Sequence, residues 1–193
     1  MHNMPGQPVG QFAIRPGALL ASSDEFEIIV TGKGGHAAAP HDAIDTTLVA
    51  AQIVVSLQTL VSRNVDPIKR VVLTVGTFET DSVASNVIAH EVRMKGTVRT
   101  LDTEYREFAE KRVREIVEGT ASAFGATVEI AWSRGYPVTM NTPEHTVFAA
   151  EVAKSIAGNV DDDVDPIMPA EDFSYMLEER PGAYIFLGNG DTA

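Results

Sequence analysis

The sequence of 193 residues contains no cysteine, which excludes disulfides and thiolate metal ligands within the chain. It also contains few cations, because 15 lysines and arginines stand against 27 acidic residues and give a formal net charge of −12. A protein that grips a nucleic acid backbone needs clustered cations, so this balance argues against a nucleic acid partner. The absence of cysteine is typical of a reducing compartment, and we expect a cytoplasmic location.

Long apolar runs are absent as well. No stretch has the length needed to cross a membrane, and the first residues, MHNMPG, lack the basic and apolar regions of a signal peptide. We therefore expect no membrane partner. With 44% hydrophobic residues, a chain of this length can bury one core, or one core and part of a second.

No two histidines are spaced for a shared metal ion. None of the five histidines forms an HxxxH or HExxH pair, which would place two imidazoles on one face of a helix. A complete metal site can therefore not be composed from the local motifs of this chain.

Hydrophobic patterns in the middle of the chain change repeatedly between the period of a strand and that of a helix. The predicted elements are a strand from Glu25, a helix capped by Asp45, strands at about 70–78 and 91–100, a helix capped by Asp102 and a strand at 127–132. This β-α-β-β-α-β order is that of the ferredoxin-like unit, an antiparallel sheet with both helices on one face.

Within the two helices we expect the apolar rows to be buried. Leu48 and Val55 belong to a wide apolar arc in the first helix, and Phe108 and Phe124 belong to the predicted stripe of the second. Gly125 is expected to end the second helix.

The flanks of this unit show little periodicity. Residues 1–20 are rich in proline and glycine, and beyond Pro137 we predict a helix at 143–157, a short helix at 171–179 and a buried strand at 183–187. This is about one βα layer, too little for an independent core. We therefore predict an α+β fold with a ferredoxin-like domain at 22–133, flanked by incomplete α/β pieces at 1–21 and 134–193.

The turn from Gly32 to His41 is the most informative stretch of the chain. Its glycines allow a sharp turn or a close approach to a ligand, and small residues leave His36 uncrowded. This predicts a presented histidine. The competing interpretation, a glycine-rich connection whose His36 only caps the next helix, stays open from the turn alone, and His41 is expected to be structural or solvated.

Three further residues could contribute to a site. Arg99 ends a strand, where its planar guanidinium could grip a carboxylate or simply be a solvated sheet edge. Asn86 lies between two strands, where its amide could clamp a carboxylate or satisfy the backbone of a turn. Glu171 lies where a helix is expected to begin, so it could be a capping charge.

Several segments are weak signals singly, but their order and spacing along the chain are distinctive. They are MHNMPGQPVG, GKGGHAAAPH, SNVIAHEVRMKGTVRT, RGYPVTMN, PAEDFSYM and GAYIFLGNG. Together they resemble the metal-dependent amidohydrolases of the aminoacylase, hippurate hydrolase and indole-acetyl-amino-acid hydrolase group, which are related to dinuclear zinc carboxypeptidases. The resemblance covers essentially the whole chain.

This resemblance implies a catalytic domain interrupted by a βαββαβ lid that is also the usual dimerisation domain. His2 matches a metal-ligand histidine, and His36 matches a lid histidine that stabilises the developing oxyanion, often in the active site of the other subunit. Asn86 and Arg99 match lid residues that hold the free carboxylate of the substrate. Glu171 lies in a segment that lines the site, and it is assigned with them to substrate binding.

The implied reaction of the intact enzyme is hydrolysis of small N-acyl amino acids such as hippurate by a homodimer with two divalent ions, which would be zinc, manganese, nickel or cobalt. The family's other ligands come from an upstream Cys or Asp beside a His-Asp pair, an upstream Glu-Glu pair and a downstream His, and these segments are not in the chain. The general base, the first carboxylate of the Glu-Glu pair, is missing with them. We therefore expect a fragment that is inactive alone and binds no metal, since a catalytic zinc needs about three protein ligands.

Two other interpretations stay open. A ferredoxin-like domain can be a stand-alone ligand-binding or dimerisation module, or a structural dimerisation subunit without catalysis. A stand-alone module does not explain the segments at the two ends of the chain, and a structural subunit does not explain the GGHAAAPH turn.

Overall fold

The structure is a computed structural model that describes residues 1–190. Twelve strands and four α-helices are present in these residues. In chain order they are β1 (His2–Met4), β2 (Phe12–Ala13), β3 (Gly17–Leu20), β4 (Asp24–Thr31), β5 (Gly35–His36), α1 (Thr46–Thr59), β6 (Val71–Thr80), β7 (Val87–Ile88), β8 (Glu91–Thr100), α2 (Thr103–Ala123), β9 (Thr127–Arg134), β10 (Thr139–Asn141), α3 (Pro143–Ala157), β11 (Val160–Asp161), α4 (Phe173–Glu179) and β12 (Phe186–Gly188). No helix among them is both long enough and apolar enough to span a bilayer.

One compact unit, which we call the central unit, consists of Asp24–Arg99 and Glu104–Gly135. Its sheet has the strand order β6-β8-β4-β9, and β4 pairs antiparallel with both β8 and β9. Alternation along β4 places Phe26, Ile28 and Val30 in a core that also contains the buried rows of α1 and α2. The predicted ferredoxin-like β-α-β-β-α-β fold is confirmed.

The predicted cap of α1 and the predicted stop of α2 are confirmed too. Asp45 accepts a hydrogen bond from the backbone N–H of Leu48 (3.1 Å) and so caps α1. Gly125 follows α2 with a φ of +76°, a conformation that ends a helix at little cost for glycine.

The expected burial of the apolar rows is wrong at several positions. Leu48 and Val55 are 56% and 63% exposed, and Phe108 and Phe124 are also exposed. The buried row of α1 is instead Thr46, Val49, Ala50, Ile53 and Leu57. A helix that is apolar over a wide arc does not itself determine which part of the arc faces the sheet, because that choice depends on tertiary packing.

A buried ion pair joins the two ends of the central unit. The guanidinium of Arg106 on α2 contacts the carboxylate of Asp24, with Nε 3.1 and 3.0 Å from the two oxygens, and also donates to the carbonyl of Gly135 (2.8 Å). The backbone N–H of Gly135 donates to the same carboxylate (3.3 Å). Asp24 is only 1% exposed, so its charge depends on these donors.

The second compact unit, the flanking unit, contains Met1–Ser23, Thr100–Thr103 and the chain from Tyr136 onward. It has a four-stranded sheet of order β1-β12-β2-β11 and a two-stranded sheet of β3 and β10. Its small core consists of Ala13, Leu19, Leu20, Tyr184 and Phe186. Both flanks contribute side chains to this cluster, although strands this short leave no periodic pattern in the sequence. That the flanks are incomplete pieces of a larger domain stays a prediction.

Candidate functional site

The glycine-rich turn is a place where two backbone segments approach closely. β5 pairs antiparallel with β7, with Gly35 opposite Ile88 and His36 opposite Val87. A Cβ at Gly32 would lie 2.7 Å from the carbonyl oxygen of Ile44, so no larger residue fits there without movement. The glycines of this turn serve close packing, and that packing fixes the backbone from which His36 projects.

His36 is presented to solvent in a defined tautomer. Its side chain is exposed, and its Nδ1 accepts a hydrogen bond from the backbone N–H of Ala38 (3.1 Å). A neutral imidazole that accepts at Nδ1 carries its proton at Nε2. His36 therefore offers an N–H donor at its outer nitrogen, the arrangement that an oxyanion requires.

The structure brings Asn86 next to His36. The carbonyl of Asn86 accepts from the backbone N–H of Ala37 (3.0 Å), immediately after β5, and the Asn86 side chain is exposed. A groove of about 470 Å³ adjoins this pair and is lined by 34–36, 81–82 and 87–90. His41 is exposed, as expected for a solvated histidine, and its Nε2 lies 3.7 Å from Oδ2 of Asp42.

Arg99 lies far from this pair within the same unit. The backbone N–H of Gly32 donates to the carbonyl of His90, so the His36 turn lies at the Glu91 end of β8, whereas Arg99 lies at the opposite end. Eight residues of extended chain separate Glu91 from Arg99, which corresponds to about 26 Å at the rise of a strand. Arg99 is partly buried and has interaction partners of its own. One copy of the central unit therefore does not bring Arg99 to the same point as His36 and Asn86.

In the flanking unit the parallel pairing of β1 and β12 brings His2 to the segment around Tyr184. His2 is opposite Phe186, and its N–H donates to the carbonyl of Ile185 (3.1 Å). Nδ1 of His2 lies 3.6 Å from Oε2 of Glu171, and the Tyr184 hydroxyl donates to that same oxygen (2.6 Å). His2 and Glu171, both predicted site residues, thus lie together, and Tyr184 joins them.

Sequence reasoning did not find Tyr184 or Asn141. Asn141 is 1% exposed and forms three hydrogen bonds: its Oδ1 accepts from the backbone N–H of Tyr184, and its Nδ2 donates to the carbonyls of Tyr184 and Arg15. Asn141 is the last residue of the RGYPVTMN segment and Tyr184 lies in GAYIFLGNG, so the motifs were the available signal. Nothing in the local pattern indicated the partners of Asn141.

Electrostatics keep the Glu171 carboxylate ionised. Burial opposes its charge, but hydrogen bonds from the Tyr184 hydroxyl and the Phe173 backbone, together with the nearby His2, lower its pKa below the ordinary value. Burial and the hydrogen bond to Glu171 raise the pKa of Tyr184. Tyr184 is therefore a neutral donor to an anionic acceptor at ordinary pH.

The described residues supply part of a metal site at most. Within residues 1–190 no group of three His, Cys, Asp or Glu side chains is placed to hold one ion. His2, with a carboxylate beside Nδ1, fits the role of a single ligand, because metal-binding histidines usually have such a carboxylate beside the other ring nitrogen.

The comparisons with known proteins agree with this fold. Residues 21–124 match the M20 family model described as peptidase dimerisation domain. Since the match covers more than half of the chain, the chain belongs to the M20 peptidase family, whose members are hydrolases. The resemblance inferred from the sequence motifs is thereby confirmed.

Individual relatives carry hydrolase names. The chain is 41% identical over 189 residues to N-acetyldiaminopimelate deacetylase of Enterococcus faecalis, covering 97% of the chain and 50% of that protein. It is 40% identical over 190 residues to hippurate hydrolase of Campylobacter jejuni, covering 97% and 49%. The chain thus spans about half the length of the curated relatives it matches.

The solved structures include the Bacillus subtilis YXEP protein, a dinuclear metal binding peptidase from the M20 family. It is 30% identical to this chain with a TM-score of 0.77, and the match covers 97% of this chain and 46% of that one.

Proposed function

We propose that these 193 residues are part of a metal-dependent amidohydrolase that cleaves the amide bond of small N-acyl amino acids of the hippurate type. In this proposal 22–133 is the lid and dimerisation domain, and 1–21 and 134–193 belong to the catalytic domain. The observation that carries the proposal is His36, an exposed imidazole whose Nδ1 accepts from Ala38 and whose Nε2–H is free to donate. Such a donor stabilises the oxyanion of a tetrahedral intermediate.

His36, Asn86 and Arg99 are assigned to the acyl-amino-acid substrate. His36 donates to the developing oxyanion, while Asn86 and Arg99 hold the free carboxylate. Because Arg99 lies about 26 Å along β8 from the end near His36, we assign His36 and Asn86 of one copy and Arg99 of another copy to each active site. The proposed enzyme is therefore a homodimer, and neither copy is complete alone.

Two exposed features of the central unit support association with a second copy. β6 is an edge strand of the sheet, and its second half, 76–80, is exposed along its whole length. Leu48 and Val55 form an exposed apolar row on α1, which packs against β6. We expect Val55→Asp to weaken self-association in analytical ultracentrifugation and Ile68→Asp, at an 83% exposed loop residue, to leave it unchanged. A wild-type chain that stays monomeric at high concentration would contradict the homodimer.

Two divalent ions belong to the proposed enzyme, and His2 is assigned as a ligand of one of them. Such ions would supply an activated water and polarise the amide carbonyl. The remaining ligands are assigned to parts of the enzyme beyond this chain, and we expect the 193 residues alone to be inactive.

The function is tested in a chimera in which this chain replaces the aligned region of the Campylobacter jejuni hippurate hydrolase. We expect the chimera to hydrolyse N-acyl amino acids and His36→Ala to lower kcat by about 10²- to 10³-fold, as the removal of one oxyanion donor does elsewhere. His41→Ala, a change at a solvated histidine of the same turn, is the matched control. A folded chimera in which His36→Ala retains full activity would refute the assignment.

A stand-alone ferredoxin-like binding or dimerisation module is the second candidate. It is favoured by the central unit, which closes a core of its own. Limited proteolysis of the chain decides between them: trimming to about 20–135 supports a lid with attached pieces, and resistance of the whole chain supports the module.

A further inference from the structure

A continuous chain of contacts runs through the flanking unit from a buried amide to an exposed imidazole. It links Asn141, Tyr184, Glu171 and His2, which belong to four separate segments of the chain. Polar groups are costly to bury unless each has a partner, and a fully satisfied network holds its members in one arrangement.

The buried end of this chain is rigid. Asn141 receives the N–H of Tyr184 at its Oδ1 (2.6 Å) and donates to the carbonyl of the same residue (2.9 Å), so its amide clamps the backbone of Tyr184 on both sides. The Tyr184 ring is 5% exposed and contacts the rings of Phe173 and Phe186. The position of the Tyr184 hydroxyl is therefore fixed by both backbone and ring.

The fixed hydroxyl holds one oxygen of Glu171, and that oxygen faces His2. The Tyr184 hydroxyl is 2.6 Å from Oε2 of Glu171, and Nδ1 of His2 is 3.6 Å from this atom. The distance from Nδ1 of His2 is within the range of an ion pair but longer than a hydrogen bond. Because the imidazole is 55% exposed, it can rotate to shorten this distance. A carboxylate at this place favours a proton on Nδ1 over a lone pair.

We propose that Glu171, Tyr184 and Asn141 are positioning residues that hold His2 in the Nδ1-protonated tautomer, which would leave the lone pair of Nε2 available to a divalent cation. This assigns Glu171 to His2 and not to the substrate. The cation rests on the proposed function, whereas the tautomer does not. A carboxylate behind a histidine ligand sets its orientation and raises its basicity, and the loss of such a partner typically costs about 10- to 100-fold in metal affinity.

The test measures the tautomer of His2 in the purified 193-residue chain without metal or substrate. The chain is labelled with ¹⁵N-histidine and studied by two-bond ¹H–¹⁵N correlation NMR at about pH 8, above the ordinary histidine pKa near 6.5. His2→Asn identifies the His2 signals by their disappearance. We expect His2 to be mostly Nδ1-protonated in the wild-type chain.

Glu171→Gln and Tyr184→Phe are expected to shift His2 toward the Nε2-protonated form, which free imidazoles prefer. Tyr136→Phe, whose described ring partner is Tyr175, is the matched control and should change nothing. Near-ultraviolet circular dichroism checks folding, and if Glu171→Gln does not fold, Tyr184→Phe carries the test.

A wild-type His2 with its proton on Nε2, or a tautomer ratio that is the same in the wild type and both folded variants, would overturn the proposal. The outcome is independent of the hydrolase assignment. An inactive chimera would refute the proposed function and leave the tautomer result standing, and the reverse is equally possible.

Discussion

Replacing Arg106 by alanine is expected to destabilise the central unit strongly. Its guanidinium is the charged partner of Asp24, which is 1% exposed, and the change leaves that carboxylate with the N–H of Gly135 as its main described donor. Breaking a buried pair from one side costs about 3–5 kcal/mol, because the remaining charge is uncompensated. Arg106 also holds the carbonyl of Gly135, so the two ends of the central unit lose their joint partner.

Urea unfolding followed by tryptophan fluorescence measures this loss. Trp132 is the single tryptophan of the chain and packs against the core of the central unit, so its signal reports that unit. With a urea dependence of about 2 kcal/mol per molar, a loss of about 4 kcal/mol moves the midpoint down by about 2 M. Arg112→Ala is the matched control, because Arg112 pairs with Glu115 on the surface of α2 (2.9 Å) and such pairs contribute about 1 kcal/mol or less.

The double variant Asp24→Ala with Arg106→Ala separates the cost of a lone charge from the value of the pair. Since it removes both charges, we expect it to be more stable than Arg106→Ala alone. If Arg106→Ala shifts the midpoint no more than Arg112→Ala, the reasoning about the buried charge is wrong.

Three further outcomes concern the same unit. Gly96→Ala should lower the free energy of unfolding by about 1–3 kcal/mol, because the new Cβ would overlap the ring of Phe26 and the carbonyl of Thr74. Gly119→Ala in α2 meets open space and should raise that free energy by about 0.5–1 kcal/mol. Equal urea midpoints for the two variants would contradict this. Asp45→Ala should cost about 1 kcal/mol through loss of the α1 cap, and an unchanged urea midpoint would refute the cap. The hydrogen bond from Arg134 lowers the pKa of Glu107, so the stability that this pair contributes is present above the pKa of the unfolded state and is lost as the pH falls through the pKa of the folded state. Glu107→Gln should therefore make the melting temperature less dependent on pH in this acidic range. A melting temperature that depends on pH as strongly as in the wild type would contradict the assignment.

Local pattern alone was enough to predict the central unit. Alternation in β4 and β8, the cap at Asp45 and the stop at Gly125 are decided by neighbours within a few residues, so they can be read without the fold. The presentation of His36 was predicted for the same reason. The buried row of α1 was not predicted, because a helix that is apolar over a wide arc can pack on the sheet in more than one rotation.

The remaining features depend on contacts between residues that are distant in the chain. Asp24 and Arg106 are 82 residues apart, and Asn141 and Tyr184 are 43 residues apart. Residue types and motifs marked His2, Glu171, Asn86 and Arg99, but periodicity describes only one element at a time and cannot show which elements become neighbours. Tertiary pairing alone placed Tyr184 and Glu171 behind His2, set Asn86 beside the His36 turn, and brought that turn to the end of β8 opposite Arg99.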